Sequence, residues 1–278
     1  MGRKILVPAL ILIFCHAPVQ AESLKFFFLD VGEGDAIYIE TPDTQRILID
    51  TGNIISGYKV VQFLKKRGIK KLDILIITHP HPDHAGGVFH ILQEIKANAL
   101  YDNGQELDNS SDYDIYRRYS SIYRNGNYRA LKAGDSIPMG KVAINILWPY
   151  RFTSDWNENT LVLKIIYGET SFILMGDANT GIEKSLLKNS TGLKANLLKT
   201  GHHGAKDASS EEFIKAVSPE YAVISADKKD NAKGGPDPDV TERLKNNGVK
   251  IFFTYRDGDI AFESDGKKIK RGRLQRQY

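Results

Sequence analysis

Five of the seven histidines in this sequence fall in two short clusters, His79, His81 and His84 followed by His202 and His203. The first cluster reads Thr78-His79-Pro80-His81-Pro82-Asp83-His84-Ala85-Gly86-Gly87, which places three imidazoles and a carboxylate within six positions. Imidazole and carboxylate suit a borderline cation such as zinc. The set is too rich in nitrogen for calcium or magnesium, and no thiolate accompanies it. Pro80 and Pro82 stiffen the loop, so the four groups converge without ordering a flexible segment. A turn of solvent-exposed histidines is the competing reading, and the density of ligand types argues against it. Gly86 and Gly87 strip bulk from the start of the next helix, which predicts close approach of substrate to the backbone. His90, further along that helix, reads as a packing or surface residue.

Such a loop needs rigid flanks. Apolar or alternating runs predict strands at 24–31, 36–40, 46–50, 72–78, 142–147, 161–167, 172–175, 195–199, 221–225 and 250–254. The strand at 72–78 delivers the histidine loop. Helical periodicity predicts helices at 58–67, 87–95, 113–123, 181–187, 211–217 and 240–246. Ser209 and Ser210 ahead of Glu211 and Glu212 predict an N-cap, and Gly68 and Gly248 predict helix ends. Strands come first as a meander and later alternate with helices, which indicates a layered α/β protein.

The 278 residues are 41% apolar and 26% charged, with 38 basic against 34 acidic side chains. That composition excludes disordered, collagenous and disulfide-scaffold classes. No linker or repeat divides the chain, so one domain is expected over residues 22–266, with a basic tail at 267–278. Residues 1–21 read as a secretory signal: Arg3 and Lys4, an apolar run at 5–14, and the small-residue cleavage site Val19-Gln20-Ala21. This predicts a periplasmic or extracellular protein whose formal charge drops from +4 to +2 on processing. Cys15, the single cysteine, leaves with the signal, so the mature protein has no disulfide or thiol chemistry. An uncleaved anchor is the alternative, although its apolar run is short for a membrane span.

The His-X-His-X-Asp-His motif after a strand resembles the signature of the metallo-β-lactamase fold superfamily. Within it, four further segments are similar to the metallo-hydrolase domain of the ComEC competence proteins: Asp30-Val31-Gly32-Glu33-Gly34-Asp35-Ala36, Leu48-Ile49-Asp50-Thr51-Gly52, Gly176-Asp177-Ala178 and Lys199-Thr200-Gly201-His202-His203-Gly204. The resemblance runs in order over residues 24–260 without a counterpart of the ComEC membrane channel, which implies a free-standing exported relative. It implies an α/β fold of the αββα metallo-β-lactamase type, a four-layer sandwich with metals in loops at one edge.

The resemblance also implies a ligand set. His79 and His81 would hold a first metal, Asp83 and His84 a second, and Asp177 would bridge them. One of His202 and His203 would complete the second site; His202 is favoured, with His203 facing substrate. Asp50 would orient a ligating histidine or the motif loop, since such partners set tautomer and basicity. Asp30 and Asp35 read equally well as turn residues.

Two departures stand out. Many superfamily members place a further histidine before the bridging aspartate, whereas residues 98–175 contain none. The corresponding stretch, Asn157-Glu158-Asn159-Thr160-Leu161-Val162, resembles the Asn-[Ser/Thr]-Leu-Val form of the ComEC branch, so water or Asn159 would complete the first metal, or that metal is absent. A Gly-His-Pro common in the branch is Gly234-Gly235-Pro236 here, removing a histidine that would assist the leaving group.

The chemistry expected from these ligands is hydrolysis by a metal-bound hydroxide. One or two zinc ions, with manganese as an alternative, lower the pKa of bound water to about 7. Asp83, Asp177 and His203 are the candidate catalytic groups; Lys199, Lys206 or His203 would meet developing negative charge. Asn159, Lys199, Lys206, Tyr116 and Arg117 are the candidate substrate contacts. Tyr113, Tyr116, Tyr119, Tyr123 and Tyr128 alternate with Arg117, Arg118, Arg124 and Arg129, a stacking and phosphate-binding surface or else a core-facing stripe with a solvated back. The tail lysines and arginines, Lys267 to Arg276, suit a phosphate backbone or anionic lipid, although the simpler reading is a disordered, solvated terminus. The favoured function is a phosphodiesterase or nuclease acting on DNA or another phosphodiester. Acyl hydrolysis of a lactone, thioester or β-lactam is the alternative, and a non-catalytic binding module is the third reading.

Overall fold

The computed structural model describes residues 23–106, 121, 126–228 and 235–272. The expected signal peptide, the segment holding Tyr116 and Arg117, and the end of the tail lie outside them. The strands are β1 (Leu24–Phe28), β2 (Ile37–Glu40), β3 (Arg46–Ile49), β4 (Lys71–Ile76), β5 (Lys96–Asp102), β6 (Tyr128–Ala130), β7 (Ser136–Met139) and β8 (Val142–Trp148). They continue with β9 (Val162–Tyr167), β10 (Thr170–Leu174), β11 (Leu197–Lys199), β12 (Tyr221–Ile224), β13 (Lys250–Phe253), β14 (Ile260–Ser264) and β15 (Ile269–Arg271). The helices are α1 (Gly57–Lys66), α2 (Pro82–Ala85), α3 (Val88–Glu94), α4 (Thr180–Asn189), α5 (Glu211–Val217), α6 (Pro238–Asn246) and α7 (Thr254–Asp257). Among the described residues no helix is long and apolar enough to cross a membrane.

Two sheets form, ordered β15-β14-β1-β2-β3-β4-β5-β6 and β13-β12-β11-β10-β9-β8-β7. Their central strands are continuous apolar runs because both faces are buried. In β1, Phe26 and Phe28 point between the sheets while Phe27 points outward under α1. In β10, Phe172 and Leu174 face inward while Ile173 packs under α4 and α5. Phe26 and Phe172 meet across the interior as stacked rings 4.0 Å apart. The layers are therefore helix, sheet, sheet, helix, which is the expected αββα sandwich.

The β3-β4-β5-β6 and β10-β11-β12-β13 stretches are parallel. Parallel strands send all their carboxyl ends to one edge, where open α/β sheets bind ligands. Asp50, the histidine loop, Asp177, His202-His203 and Ser225 follow the ends of β3, β4, β10, β11 and β12 in that order. Each predicted strand is present, most of them a residue or more shorter.

Two expectations change. Gly86 and Gly87 face protein rather than substrate: a Cβ at Gly86 would overlap the Pro82 carbonyl, and one at Gly87 the Thr51 carbonyl. The basic segment after residue 266 is not a solvated tail at its start, because Ile269–Arg271 pairs with Phe262–Ser264 and extends the first sheet. The domain consequently runs past residue 266. Tyr128 and Arg129 lie on edge strand β6, where they bond Asp102 and Asp135.

Candidate metal centre

Asp50 ends β3 with a left-handed backbone (φ 58°) and no exposure. The strained turn is fixed by three bonds: Oδ1 accepts Thr78 N–H at 2.8 Å, while Oδ2 accepts the Thr78 hydroxyl at 2.7 Å and His84 Nδ1–H at 2.8 Å. An ionised carboxylate only accepts, so His84 carries its proton on Nδ1 and turns a bare Nε2 inward. The same logic holds for His203, whose Nδ1–H donates to the Ser225 carbonyl at 3.0 Å. It holds for His79 as well: the Thr78 hydroxyl donates to Asp50, leaving its lone pair to accept from His79 Nδ1 at 3.1 Å. The Thr160 hydroxyl stands 3.3 Å from the same nitrogen.

The three Nε2 atoms turn toward carboxylates. His84 Nε2 lies 3.1 Å from Asp177 Oδ1 and 3.5 Å from Asp83 Oδ2; His203 Nε2 lies 3.2 Å from Asp83 Oδ2 and 3.4 Å from Asp177 Oδ1. His79 Nε2 is 3.5 Å from Asp177 Oδ2 and 3.1 Å from His81 Nδ1. Two ligand groups result, Asp83-His84-Asp177-His203 and His79-His81-Asp177, each with donor atoms within 4.8 Å of one another. Asp177 belongs to both.

A cation fits this arrangement. Two imidazole nitrogens, His84 Nε2 and His203 Nε2, face each other at 3.3 Å. The buried Asp177 Oδ1 has no hydrogen-bond partner. Unpaired acceptors at such depth are costly without a positive centre among them. Charge tells the same story. Burial opposes protonation of His84, yet Asp177, Asp83 and Asp50 hold its pKa well above the ordinary imidazole value. Burial would raise the Asp177 carboxyl, but His84, His203 and His79 keep it well below the usual carboxylate range. The field that favours a proton on these nitrogens favours a divalent cation in its place. His81, by contrast, is pushed down to about 4 by burial and by His79, so its lone pair is available at neutral pH.

The sequence profile of the Metallo-beta-lactamase superfamily matches residues 29–227, which hold every one of these ligands. The chain belongs to the metallo-beta-lactamase superfamily. Members of this superfamily are generally metal-dependent hydrolases. The chain is similar to ComE operon protein 3 of Bacillus subtilis (strain 168), 29% identical over 269 residues that cover 90% of this chain and 34% of the relative. It is similar to Competence protein ComA of Neisseria gonorrhoeae, 28% identical over 248 residues that cover 88% of this chain and 33% of the relative. It thus spans about a third of the length of these curated relatives. The metallo-beta-lactamase fold protein YhfI from Bacillus subtilis shares the fold, with a TM-score of 0.55 at 14% identity over 87% of this chain and 100% of that one.

Within this superfamily scaffold, three expected roles change. His203, not His202, joins Asp83, His84 and Asp177; both histidines have left-handed backbones after Gly201, and the second is the one turned inward. His202 is half-buried at the rim, its Nδ1 on Asp207 at 3.1 Å and its Nε2 3.4 Å from the Asn157 amide. Lys199 is closed to substrate, wholly buried and paired with Asp35 at 2.9 Å. Asn159 is spent on its own loop, accepting Thr153 N–H and donating to the Thr153 carbonyl.

Lys206 is exposed beyond the second histidine turn. His90 sits on α3 against Phe89, outside both ligand groups. Sequence reasoning missed Thr160, Trp156 and Ser225. Thr160 is the hydroxyl position of the Asn-[Ser/Thr]-Leu-Val stretch, so its signal was present. Trp156 stacks on His81 with centroids 6.0 Å apart and planes 13° from parallel. Ser225 acts through its carbonyl, which no side-chain pattern reveals.

Proposed function

We propose that this chain is an exported metal-dependent phosphodiesterase, acting on DNA or another phosphodiester. The observation that carries the reading is Asp177, one carboxylate shared between a four-residue and a three-residue ligand group, in a chain similar to competence proteins over most of its length. A divalent cation held by these residues, zinc or manganese, supplies a water of lowered pKa and withdraws charge from the phosphoryl oxygen. The protein's own part is positional. Asp50, Thr78, Thr160 and Ser225 lock the imidazoles so that lone pairs face inward. Asp83, whose side chain is 29% exposed, is the acid of the cluster most open to solvent and is placed to orient an attacking water. Lys206 offers a donor at the rim for phosphate oxygens, while His202 is held there by Asp207. No serine or cysteine nucleophile is required.

The test is metal content of the purified chain together with hydrolysis of bis(p-nitrophenyl) phosphate and of single- and double-stranded DNA. An Asp83→Ala/His84→Ala variant serves as control. The reading expects bound zinc or manganese and cleavage that the control loses. Metal-free, inactive protein after zinc or manganese is restored overturns it, and bound metal with untouched phosphodiesters redirects it to acyl substrates. Export predicts a processed chain beginning at Glu22, read by mass spectrometry of protein recovered outside the cytoplasm.

A further inference from the structure

A cleft of about 260 Å³ opens beside the metal loop, walled by Tyr150, Arg151 and Phe152 on one side and by Lys132 and Asn103 on the other. Drug-sized ligands occupy roughly 300–1,000 Å³, so this space suits a single planar group. Tyr150 and Phe152 are 50% and 52% exposed. They are held in place rather than floating. Tyr150 stands edge-on to Trp148 at 5.4 Å, and Thr153 is clamped on both sides by Asn159.

The cleft wall is linked to the metal centre. Asn103 follows β5, whose parallel register with β4 sets it one strand from Thr78 and His79. Its amide donates to the Asn159 carbonyl at 2.9 Å. The next residue, Thr160, touches His79, and Trp156 of the same loop stacks on His81. One loop therefore runs from the cleft wall to His79 and His81 of the three-residue group.

Charge distinguishes this flank from the other. Among the described residues no acid lines the cleft, and neither Lys132 nor Arg151 is ion-paired there. The cleft on the opposite flank, by the β1–β2 loop, carries Asp30, Glu33 and Asp227 against Lys59 and Lys228. A polyanion is favoured at the first, whose described charges are all positive, over the second, where the signs are mixed.

We infer that the Tyr150-Phe152 cleft is a subsite for a nucleobase of single-stranded DNA, with the adjoining phosphate on Arg151 and Lys132. The identity of this ligand rests on the phosphodiesterase reading. Aromatic faces stack on any base, and the cations follow the backbone, so the subsite selects single strands over duplex, whose bases are already stacked. Its wall at Asn103 follows the strand next to the one that delivers the histidine loop, about 5 Å away by strand spacing, so a chain seated there can run on toward the centre.

The test reads binding apart from cleavage. Anisotropy of a labelled oligothymidine is followed in chelator with the wild-type chain, Tyr150→Ala/Phe152→Ala and Arg151→Ala, alongside bis(p-nitrophenyl) phosphate hydrolysis with metal restored. The double variant is expected to weaken single-strand binding about tenfold to a hundredfold, and to lower binding of a matched duplex far less. Arg151→Ala is expected to lower the slope of log affinity against log salt by about one. All three proteins should hydrolyse the small ester alike, which also shows that the variants fold. Single-strand affinity unchanged in the double variant, absent from the wild type, or lost equally for duplex overturns the subsite. Failure of the small ester with every protein overturns the phosphodiesterase reading instead, and the anisotropy still judges the cleft.

Discussion

Asp50 faces no substrate, yet it decides how two ligand-bearing segments sit. Its carboxylate fixes the Thr78 backbone and hydroxyl and the His84 tautomer at once. Asp50→Asn keeps the shape but places an amide N–H against a donor, so metal affinity should fall on the order of 10- to 100-fold, measured by competition with a chromogenic chelator. Affinity within twofold of wild type would show that Asp50 serves the loop alone. A second contrast separates the adjacent histidines. His203→Ala should remove a ligand and lower bound metal, whereas His202→Ala should leave metal content at the wild-type level; elemental analysis of both checks this, and loss from His202→Ala would reverse the assignment. At this scale the sequence exposed residue types: His79, His81, Asp83 and His84 of the motif lie close to Asp177. It could not say which of two consecutive histidines points inward, because that depends on successive left-handed backbone angles. Nor could it show that Lys199 is buried against a partner 164 positions away.

Elements were legible where a run was long or both faces were buried. Strands β1, β4, β9 and β10 show as mostly apolar stretches because sheet and helix cover their two sides. Strands β5, β6, β7, β14 and β15 went unread, since edge or mixed strands such as Ser136–Met139 alternate with polar residues, proline or charge and lose contrast with loops. The α4–α5 corner shows what a helix position can hide. Glu183, on the inward face of α4, accepts the N–H groups of Ser209 at 2.5 Å and Ser210 at 2.8 Å, and Ser210 in turn caps α5. Glu183→Gln should cost about 1–3 kcal/mol by weakening this junction. Burial raises the Glu183 carboxyl above its ordinary value, against the pull of the serine donors. A raised acid binds its proton more tightly folded than unfolded, so its contribution is full below the ordinary carboxylate pKa and declines as pH climbs through the raised one. The stability gap between wild type and Glu183→Gln, taken from urea midpoints, should therefore be wider at acid pH and shrink toward neutrality. A gap that widens with pH would contradict the burial-driven shift.

The two sheets meet at the metal edge through more than apolar contact. Asp35, in the β1–β2 loop of one sheet, and Lys199, at the end of β11 in the other, form an ion pair 2.9 Å long with both side chains out of water. Lys199 also donates to the Thr200 carbonyl, just ahead of the second histidine turn. The pair therefore spans the sandwich directly beneath the ligands, and Gly34 beside it has no room for a Cβ because the Asp83 carbonyl fills that place. A buried pair gains little over packed apolar groups, but losing one partner strands a charge. Lys199→Met should accordingly destabilise the protein by about 3–5 kcal/mol. Lys199→Met combined with Asp35→Asn should recover part of that loss, because the second change removes the stranded charge. Urea unfolding of both variants with the wild type checks it through the coupling between the two changes. Losses that simply add would mean that each residue acts through its own sheet, and that the sandwich is closed at this edge by the apolar core alone.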